Sequence, residues 1–465
     1  EEIGLSRRSG VIVPLFSIRS RESGGIGEYP DLKFVIDWCK LTGNSIVQLL
    51  PLNDTGFLPS PFSPLTSVGL NPIHISLSKI SQKENERIKK LFVQQKRIDY
   101  RVGSEKLKSL KKIFPKQKLN EEFYHFIKEN EGWLNDYSLF KALKEFHQNK
   151  SWTEWKKEFQ DKNSKEVFLF KDRHQKKILF WQWVQWVAFN QMREVKEYAE
   201  RQNVLLKGDL PHFISKDSAD CWAEKDWFRL DQTAGAPPDE FSEIGQDWGL
   251  PPYDWQAIEK DNFDFIKRRL SYAENFYHLF RIDHVIGLFR TWLVKESSFD
   301  LKSNYQKRGE KILRAMIDAS SMLPCAEDMG TIPNFCRQTI GKLGIPGLDI
   351  TRGQRRYRKL AVSTLSTHDM DLFPDWAGPG EIKKATKKAI QAPSIFAIFL
   401  IFDWLFFSND LDPDKAADYR INRPGINHPD NWSIVIPYPV EEFPNLPGNR
   451  EILDINQLRI LATPL

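Results

Sequence analysis

The 465-residue chain is poor in several of the features that usually classify a protein quickly. It has four cysteines (Cys39, Cys221, Cys325 and Cys336), none in a CxxC pair and the closest two eleven residues apart. That spacing excludes a disulfide-dense scaffold and a zinc finger, and it suits a reducing compartment. It lacks a long hydrophobic run: the most apolar stretch, residues 395–407 (IFAIFLIFDWLFF), has thirteen residues and is interrupted by Asp403. This is too short to span a bilayer and reads as a buried helix, so no membrane partner is expected. It lacks an excess of one charge, with 67 basic against 62 acidic residues, so nothing points to nucleic acid. The opening EEIGLSRRSG carries no charged-then-apolar leader, and the expected location is the cytoplasm. No GxGxxG follows a strand, no GxxxxGK(S/T) occurs, and there is no HxH or HExxH, so neither a nucleotide cofactor nor an essential metal is expected.

What is present is enough apolar material, 41% of residues, for a large core. Three textures follow one another. Residues 1–80 alternate short apolar runs, VIVPLF and SIVQLL, with the helical pattern LKFVIDWCKLTG, the rhythm of an α/β fold. Residues 81–200 read as a helical insertion in which Trp181, Trp183, Trp186 and Phe189 are packing anchors. The lysine-rich 105–118 reads as a solvated helix face followed by a turn. From 201 to 465 the α/β rhythm returns, with an irregular aromatic loop at 235–255. The fold class this implies is a TIM (β/α)8 barrel with inserted, mainly helical subdomains.

One pattern recurs along the α/β parts. An apolar stretch ends in a polar cluster holding a carboxylate: QLLPLND (Asp54), LLKGD (Asp209), LFRID (Asp283), LPCAED (Glu327) and TLSTHD (Asp369). Folding gives no reason to repeat a costly carboxylate where successive strands end, but the C-terminal mouth of a barrel does. Three acids around one volume permit glycosidic-bond chemistry, with a nucleophile, a protonated acid and a third carboxylate. They also permit a metal hydrolase, since His284 adjoins Asp283 and His368 adjoins Asp369, although neighbours on a strand face opposite sides. Other barrel chemistry also remains open. Arg281, two residues before Asp283, would favour the ionised form of that aspartate, whereas burial of Glu327 after LPCA would raise its pKa toward that of a general acid. Trp222, Trp227, Trp248, Tyr253 and Trp255 lie within 34 residues and, as a set, read as stacking faces for sugar rings. If the chemistry is retaining, the Asp283 and Glu327 carboxyls should stand about 5–5.5 Å apart.

The phrases SGGIGEYPDL, LLPLNDTG, KGDLPHFI, DSADCWA, GAPPDEFSEIGQDWG, FRIDHVIG, CAEDMG, STHDMD and NHPDNWS occur in this order between residues 23 and 433. Together they resemble glycoside hydrolase family 77, the 4-alpha-glucanotransferases known as amylomaltase or disproportionating enzyme. QLLPLNDT and FRIDHVIGLFRTW look closer to its maltose-metabolising branch. The resemblance implies retaining transfer of alpha-1,4-glucan segments, with maltooligosaccharides as donors and a sugar hydroxyl as acceptor. It makes Asp283 the nucleophile, Glu327 the general acid/base and Asp369 the carboxylate that holds sugar hydroxyls. Arg281 and His368 match supporting residues, and Asp209, Trp248, Asp54 and Phe241 match substrate-side positions. Glu240, Phe57, Phe62 and Met370 depart from the usual residues, which leaves the acceptor open. An alpha-glucan hydrolase using the same carboxylates is the alternative.

Overall fold

The computed structural model describes residues 7–93, 96–238, 245–330, 332–352 and 356–460. Eight parallel strands are arranged in chain order: β1 (Arg8–Val13), β2 (Ile46–Leu49), β3 (Leu205–Leu210), β4 (Leu279–Ile282), β5 (Leu323–Ala326), β6 (Gly347–Ile350), β7 (Ala361–Thr364) and β8 (Phe396–Leu400). β8 pairs back onto β1, so the sheet wraps into a barrel. Every residue of β2, β4, β7 and β8 is buried, because side chains fill the interior while helices cover the outside. The covering helices include α1 (Leu32–Leu41) between β1 and β2, α2 (Glu131–Phe146) and α3 (Gln175–Arg201) between β2 and β3, and α4 (Asp264–Ala273) before β4.

The barrel has one seam. Among the described residues no strand ladder joins β5 to β6; instead Ala326 N–H donates to the Pro346 carbonyl (2.7 Å) and Leu348 N–H to Asp328 Oδ1 (2.7 Å). Arg358 spans the gap, holding Asp328 at 2.5 Å and Asp349 at 2.7 Å. Burial opposes its charge, but the two carboxylates outweigh that and raise its pKa further.

The stretch 395–407 is corrected by the structure: Phe396–Leu400 is strand β8, and only Ile401–Phe407 is helix (α5). A run buried on all sides carries neither a 2- nor a 3.6-residue period, so its hydrophobicity alone could not tell strand from helix. The lysine-rich stretch is a helix, Arg101–Ile113, but Lys106 turns inward. Its ammonium, 1% exposed, bonds Glu28 at 2.6 Å and the carbonyls of Ile73 and Ile75 at 2.9 and 3.0 Å. In α3, Trp181 and Trp183 are buried packing residues as expected, and the helix also lies against α1 and β3. No helix of the described residues is long and apolar enough to cross a membrane.

A second, antiparallel sheet forms beside the mouth from Gln246–Leu250, Ala234–Ala236, Trp292–Leu293 and Ser298–Phe299, in that spatial order. It carries Trp248.

Candidate active site

Register brings the first two groups together. Asp209 on β3 and Arg281 on β4 are direct partners in adjacent parallel strands, so their side chains share a face. Arg281 Nη1 donates to both Asp209 oxygens, at 2.8 and 2.9 Å. The same guanidinium lies 3.0 Å from Asp283, just past β4, and 2.8 Å from Glu327, just past β5. Three carboxylates therefore converge on one cation. Burial alone would lower the Arg281 pKa, but Asp209, Glu327 and Asp283 outweigh it and hold the group charged.

Backbone N–H groups complete the arrangement. His212 N–H donates to Asp283 Oδ2 (3.0 Å) and His284 N–H to Glu327 Oε2 (2.8 Å). His284 adopts φ +45°, a left-handed conformation that a side chain pays strain to occupy, and its amide reaches Glu327 from that conformation. Gly287 packs so tightly that a Cβ there would stand 2.3 Å from the His212 ring, so no larger residue fits.

Desolvation is the largest influence on Asp209, Asp283 and Glu327, and it raises all three pKa values despite Arg281. For Asp283 the Arg281 charge does favour the ionised form, as expected, but burial outweighs it. One guanidinium shared by three acids does not offset their burial. A charge on Asp283 raises the Glu327 pKa further, whereas the His212 N–H favours the ionised form of Asp283. Both carboxyls are drawn to the same guanidinium.

On the far side of the mouth, His368 Nε2 stands 3.0 Å from Asp369 Oδ2, and Asn422 donates to Asp369 Oδ1 at 2.7 Å. Desolvation works against the charge of both, yet their mutual attraction prevails: the His368 pKa is raised and that of Asp369 lowered to about 2. Phe62 stacks on the His368 ring at 5.0 Å and 14°, with Trp432 beside both.

The remaining expected residues divide. Trp248 is half-buried and meets His284 edge-on at 4.8 Å, bordering the carboxylates. Asp54 is not brought to the cluster. β2 ends at Leu49, and five residues later the Asp54 carboxylate is sealed at 1% exposure, accepting from Lys141 and Tyr137, both at 2.7 Å, so it anchors its loop rather than offering an oxygen to a ligand. Phe241 and Glu240 lie outside the described residues. The reading of the aromatic set as stacking faces is corrected: Trp222, Trp227, Tyr253 and Trp255 are all buried in the core, because the irregular segment folds inward on itself.

Sequence reasoning missed the His212 amide, Asn422 and the buried Lys207. Backbone donors leave no residue-type signal, but Lys207 was visible two residues before Asp209 in LLKGD. A cavity of about 960 Å³ lies on the helical region along Phe168, Leu169 and Leu179 and is lined by none of these acids. Beneath the cluster is a void of about 30 Å³ between Lys207, Arg281, Cys325, Glu327 and His368. Among the described residues no group of three or more His, Cys, Asp or Glu is arranged to hold a metal ion.

A model of the family described as 4-alpha-glucanotransferase matches residues 13–439. The 4-alpha-glucanotransferase of Chlamydia pneumoniae is 37% identical over 496 residues, covering 95% of this chain and 93% of that one. The 4-alpha-glucanotransferase DPE2 of Oryza sativa subsp. japonica is 36% identical over 308 residues, covering 62% of this chain and 32% of that one. Among solved structures, an amylomaltase from Streptococcus agalactiae in complex with acarbose superposes with a TM-score of 0.85 at 22% identity, covering 98% of this chain and 99% of that one, which establishes the shared fold.

Proposed function

Since the chain belongs to glycoside hydrolase family 77, the 4-alpha-glucanotransferases, we propose that its mouth transfers alpha-1,4-glucan segments with Asp283 as nucleophile and Glu327 as general acid/base. The protein is a 4-alpha-glucanotransferase, acting on alpha-1,4-glucans and maltooligosaccharides with a sugar acceptor. The observation that carries the residue roles is the convergence of Asp283 and Glu327 on the Arg281 guanidinium, at 3.0 and 2.8 Å. Burial and the neighbouring Asp283 raise the Glu327 pKa, which favours its protonated form, while Arg281 and the His212 N–H favour the ionised form of Asp283. A protonated acid and an ionised carboxylate are what the first step needs.

In that step Asp283 attacks the anomeric carbon, and Glu327 gives its proton to the departing oxygen. The released chain leaves, and the sugar remains esterified to Asp283. Glu327, now ionised, takes the proton from the hydroxyl of the incoming acceptor, which attacks the anomeric carbon and frees Asp283. Arg281, already bridging the acids, keeps them in place as charge moves between them. Asp369, fixed by His368 and Asn422, offers an ionised oxygen to sugar hydroxyls, and Trp248 offers a ring face beside them. Asp209 serves by holding Arg281. The four cysteines are free thiols, which supports placing the protein in the cytoplasm.

The test is maltotriose incubated with and without glucose, with products resolved by length. A ladder of longer and shorter glucans with little gain in reducing ends is expected. Steady gain of reducing ends unaffected by glucose would replace transfer by hydrolysis. With Glu327→Gln and an activated maltosyl fluoride, mass spectrometry should find the glycosyl adduct on Asp283; an adduct elsewhere would end the assignment.

A further inference from the structure

Arg269 lies on the inner face of α4 at 7% exposure, and its Nε has no hydrogen-bond partner. Its neighbour Arg268 pairs with Asp264 at 2.7 Å, but Arg269 pairs directly with no carboxylate among the described residues. The buried Asp220 feels the Arg269 charge without pairing with it, so the guanidinium's hydrogen bonds go elsewhere. The one strong bond it makes is from Nη2 to the Pro211 carbonyl. That carbonyl belongs to the peptide unit whose N–H, that of His212, donates to Asp283 Oδ2 at 3.0 Å. Guanidinium, peptide and carboxylate thus form one line, in which the cation pulls electron density toward the carbonyl oxygen and makes the opposite N–H a stronger donor.

We propose that Arg269 is a positioning residue for the transfer reaction, acting through the Pro211–His212 peptide to hold Asp283 in place and in its ionised form. The inference rests on the reading of Asp283 as the nucleophile. Asp283 already has Arg281 beside it, but that cation is divided with Asp209 and Glu327. The peptide brings a second positive end to Asp283 alone. Around the line stand His212, Tyr253 and Asp220, all of which feel the Arg269 charge, together with His284 near the His212 ring. The His212 ring is held neutral, by burial first and then by His284 and Arg269, so it does not add a competing cation. Tyr253 anchors the next peptide without a charge: its hydroxyl donates to the His212 carbonyl at 2.5 Å.

That pair of anchors supplies the experiment. Arg269→Gln keeps a donor for Pro211 and removes only the charge; Arg269→Lys keeps the charge; Tyr253→Phe removes an uncharged anchor of the same loop. The readout is the rate of glycosyl-enzyme formation from maltosyl fluoride against pH, with circular dichroism and melting on each preparation. Arg269→Gln should raise the midpoint of the acid limb by about half to one pH unit, since the Asp283 carboxylate loses stabilisation of its charged form. Arg269→Lys should restore most of that shift, and Tyr253→Phe should leave the midpoint in place even where the rate falls. An unmoved midpoint in folded Arg269→Gln, or an equal shift in Tyr253→Phe, would overturn the inference and reduce Arg269 to loop anchoring. If Arg269→Gln does not fold, the decision passes to Arg269→Lys, whose shorter side chain should leave a small rise of the midpoint while Tyr253→Phe leaves it in place; an unmoved Arg269→Lys, or a rise in Tyr253→Phe as large as that in Arg269→Lys, would overturn the inference. Asp283→Asn separates the two readings: if it still forms adduct, the nucleophile assignment fails, whereas an inactive Asp283→Asn with an unmoved Arg269→Gln midpoint condemns the relay alone.

Discussion

Asp283 and Asp369 both follow a strand of the same barrel mouth, and the protein treats them in opposite ways. Asp283 is 19% exposed at the side chain and draws on a guanidinium that also serves Asp209 and Glu327; its pKa rises. Asp369 is 41% exposed and has an imidazole facing it as well as an Asn422 amide; its pKa falls to about 2. The difference lies in the number of carboxylates per cation and the access of water, not in the chemical identity of the acid. One side of the mouth is an acidic set short of positive charge, poised to pass a proton around. The other is a saturated pair whose task is to remain ionised.

The strongest way to break this comparison is Asp283→Asn. Turnover of maltotriose should fall by more than about 10⁴-fold, since the attacking group is lost. The same variant should melt no lower than wild type at neutral pH, because it removes a carboxylate that burial disfavours. Retained activity above about one percent of wild type would remove Asp283 from the chemistry.

Next in size is Arg281→Met. Removing the shared cation leaves three buried acids uncompensated, and denaturant unfolding at pH 7.5 should show a loss of about 3–5 kcal/mol. Carboxyls whose folded pKa is raised favour the native state less as pH climbs past their unfolded values. The deficit should therefore shrink on titration toward pH 4 as the acids take up protons. A deficit independent of pH would mean that Arg281 matters for packing and not for charge.

Asp369→Asn sharpens the contrast because its sign is opposite. A depressed pKa contributes stability above the unfolded value of 3.8 that disappears as pH falls through about 2. With solvent screening at this open side chain, the loss at pH 7 should be about 1 kcal/mol, vanishing between pH 4 and 2. Melting temperatures of the variant and wild type across that range check it.

The smallest effect is expected from Phe62→Leu, which removes the ring stacked on His368. The stack should contribute about 0.5–1.5 kcal/mol. A drop of that size in the melt, together with a weakened acceptor response in the maltotriose assay, would tie Phe62 to the His368 side; no change in either would leave it as filler.

The acids were legible in the sequence because a carboxylate after an apolar run is locally expensive, and Asp209, Asp283, Glu327 and Asp369 obey that logic at the ends of β3, β4, β5 and β7. Asp54 carries the same signature and sits elsewhere, since its partners Lys141 and Tyr137 come from a helix more than eighty residues away. Position along the chain does not reveal a partner at that distance. The buried Trp222 and Trp255 show the same limit: an aromatic residue looks alike whether it faces a sugar or a core, and only Trp248 was left at the mouth. Strand β6 escaped notice because GLDI is four residues long and shows no alternation strong enough to separate it from the turn before it. β8 was hidden inside a run whose hydrophobicity has no period. His212 acts through its amide, which every residue but proline possesses.

The pairing of β1 with β8 also governs how the chain comes to life on the ribosome. Arg8 meets Phe396 across the ladder, so β1 waits until β8 has been made before its second edge is satisfied. At ordinary translation speeds of about 5–20 residues per second, the apolar segment GVIV spends roughly 20–80 s with an open flank. Exposed strand edges invite pairing with other chains, and contacts between such distant parts of a sequence form slowly. Newly made or diluted-from-denaturant protein will therefore be most prone to aggregate before β8 docks. Yield on refolding should fall as concentration rises, and a supplied peptide spanning residues 392–402 should compete for the unpaired flank of the first strand.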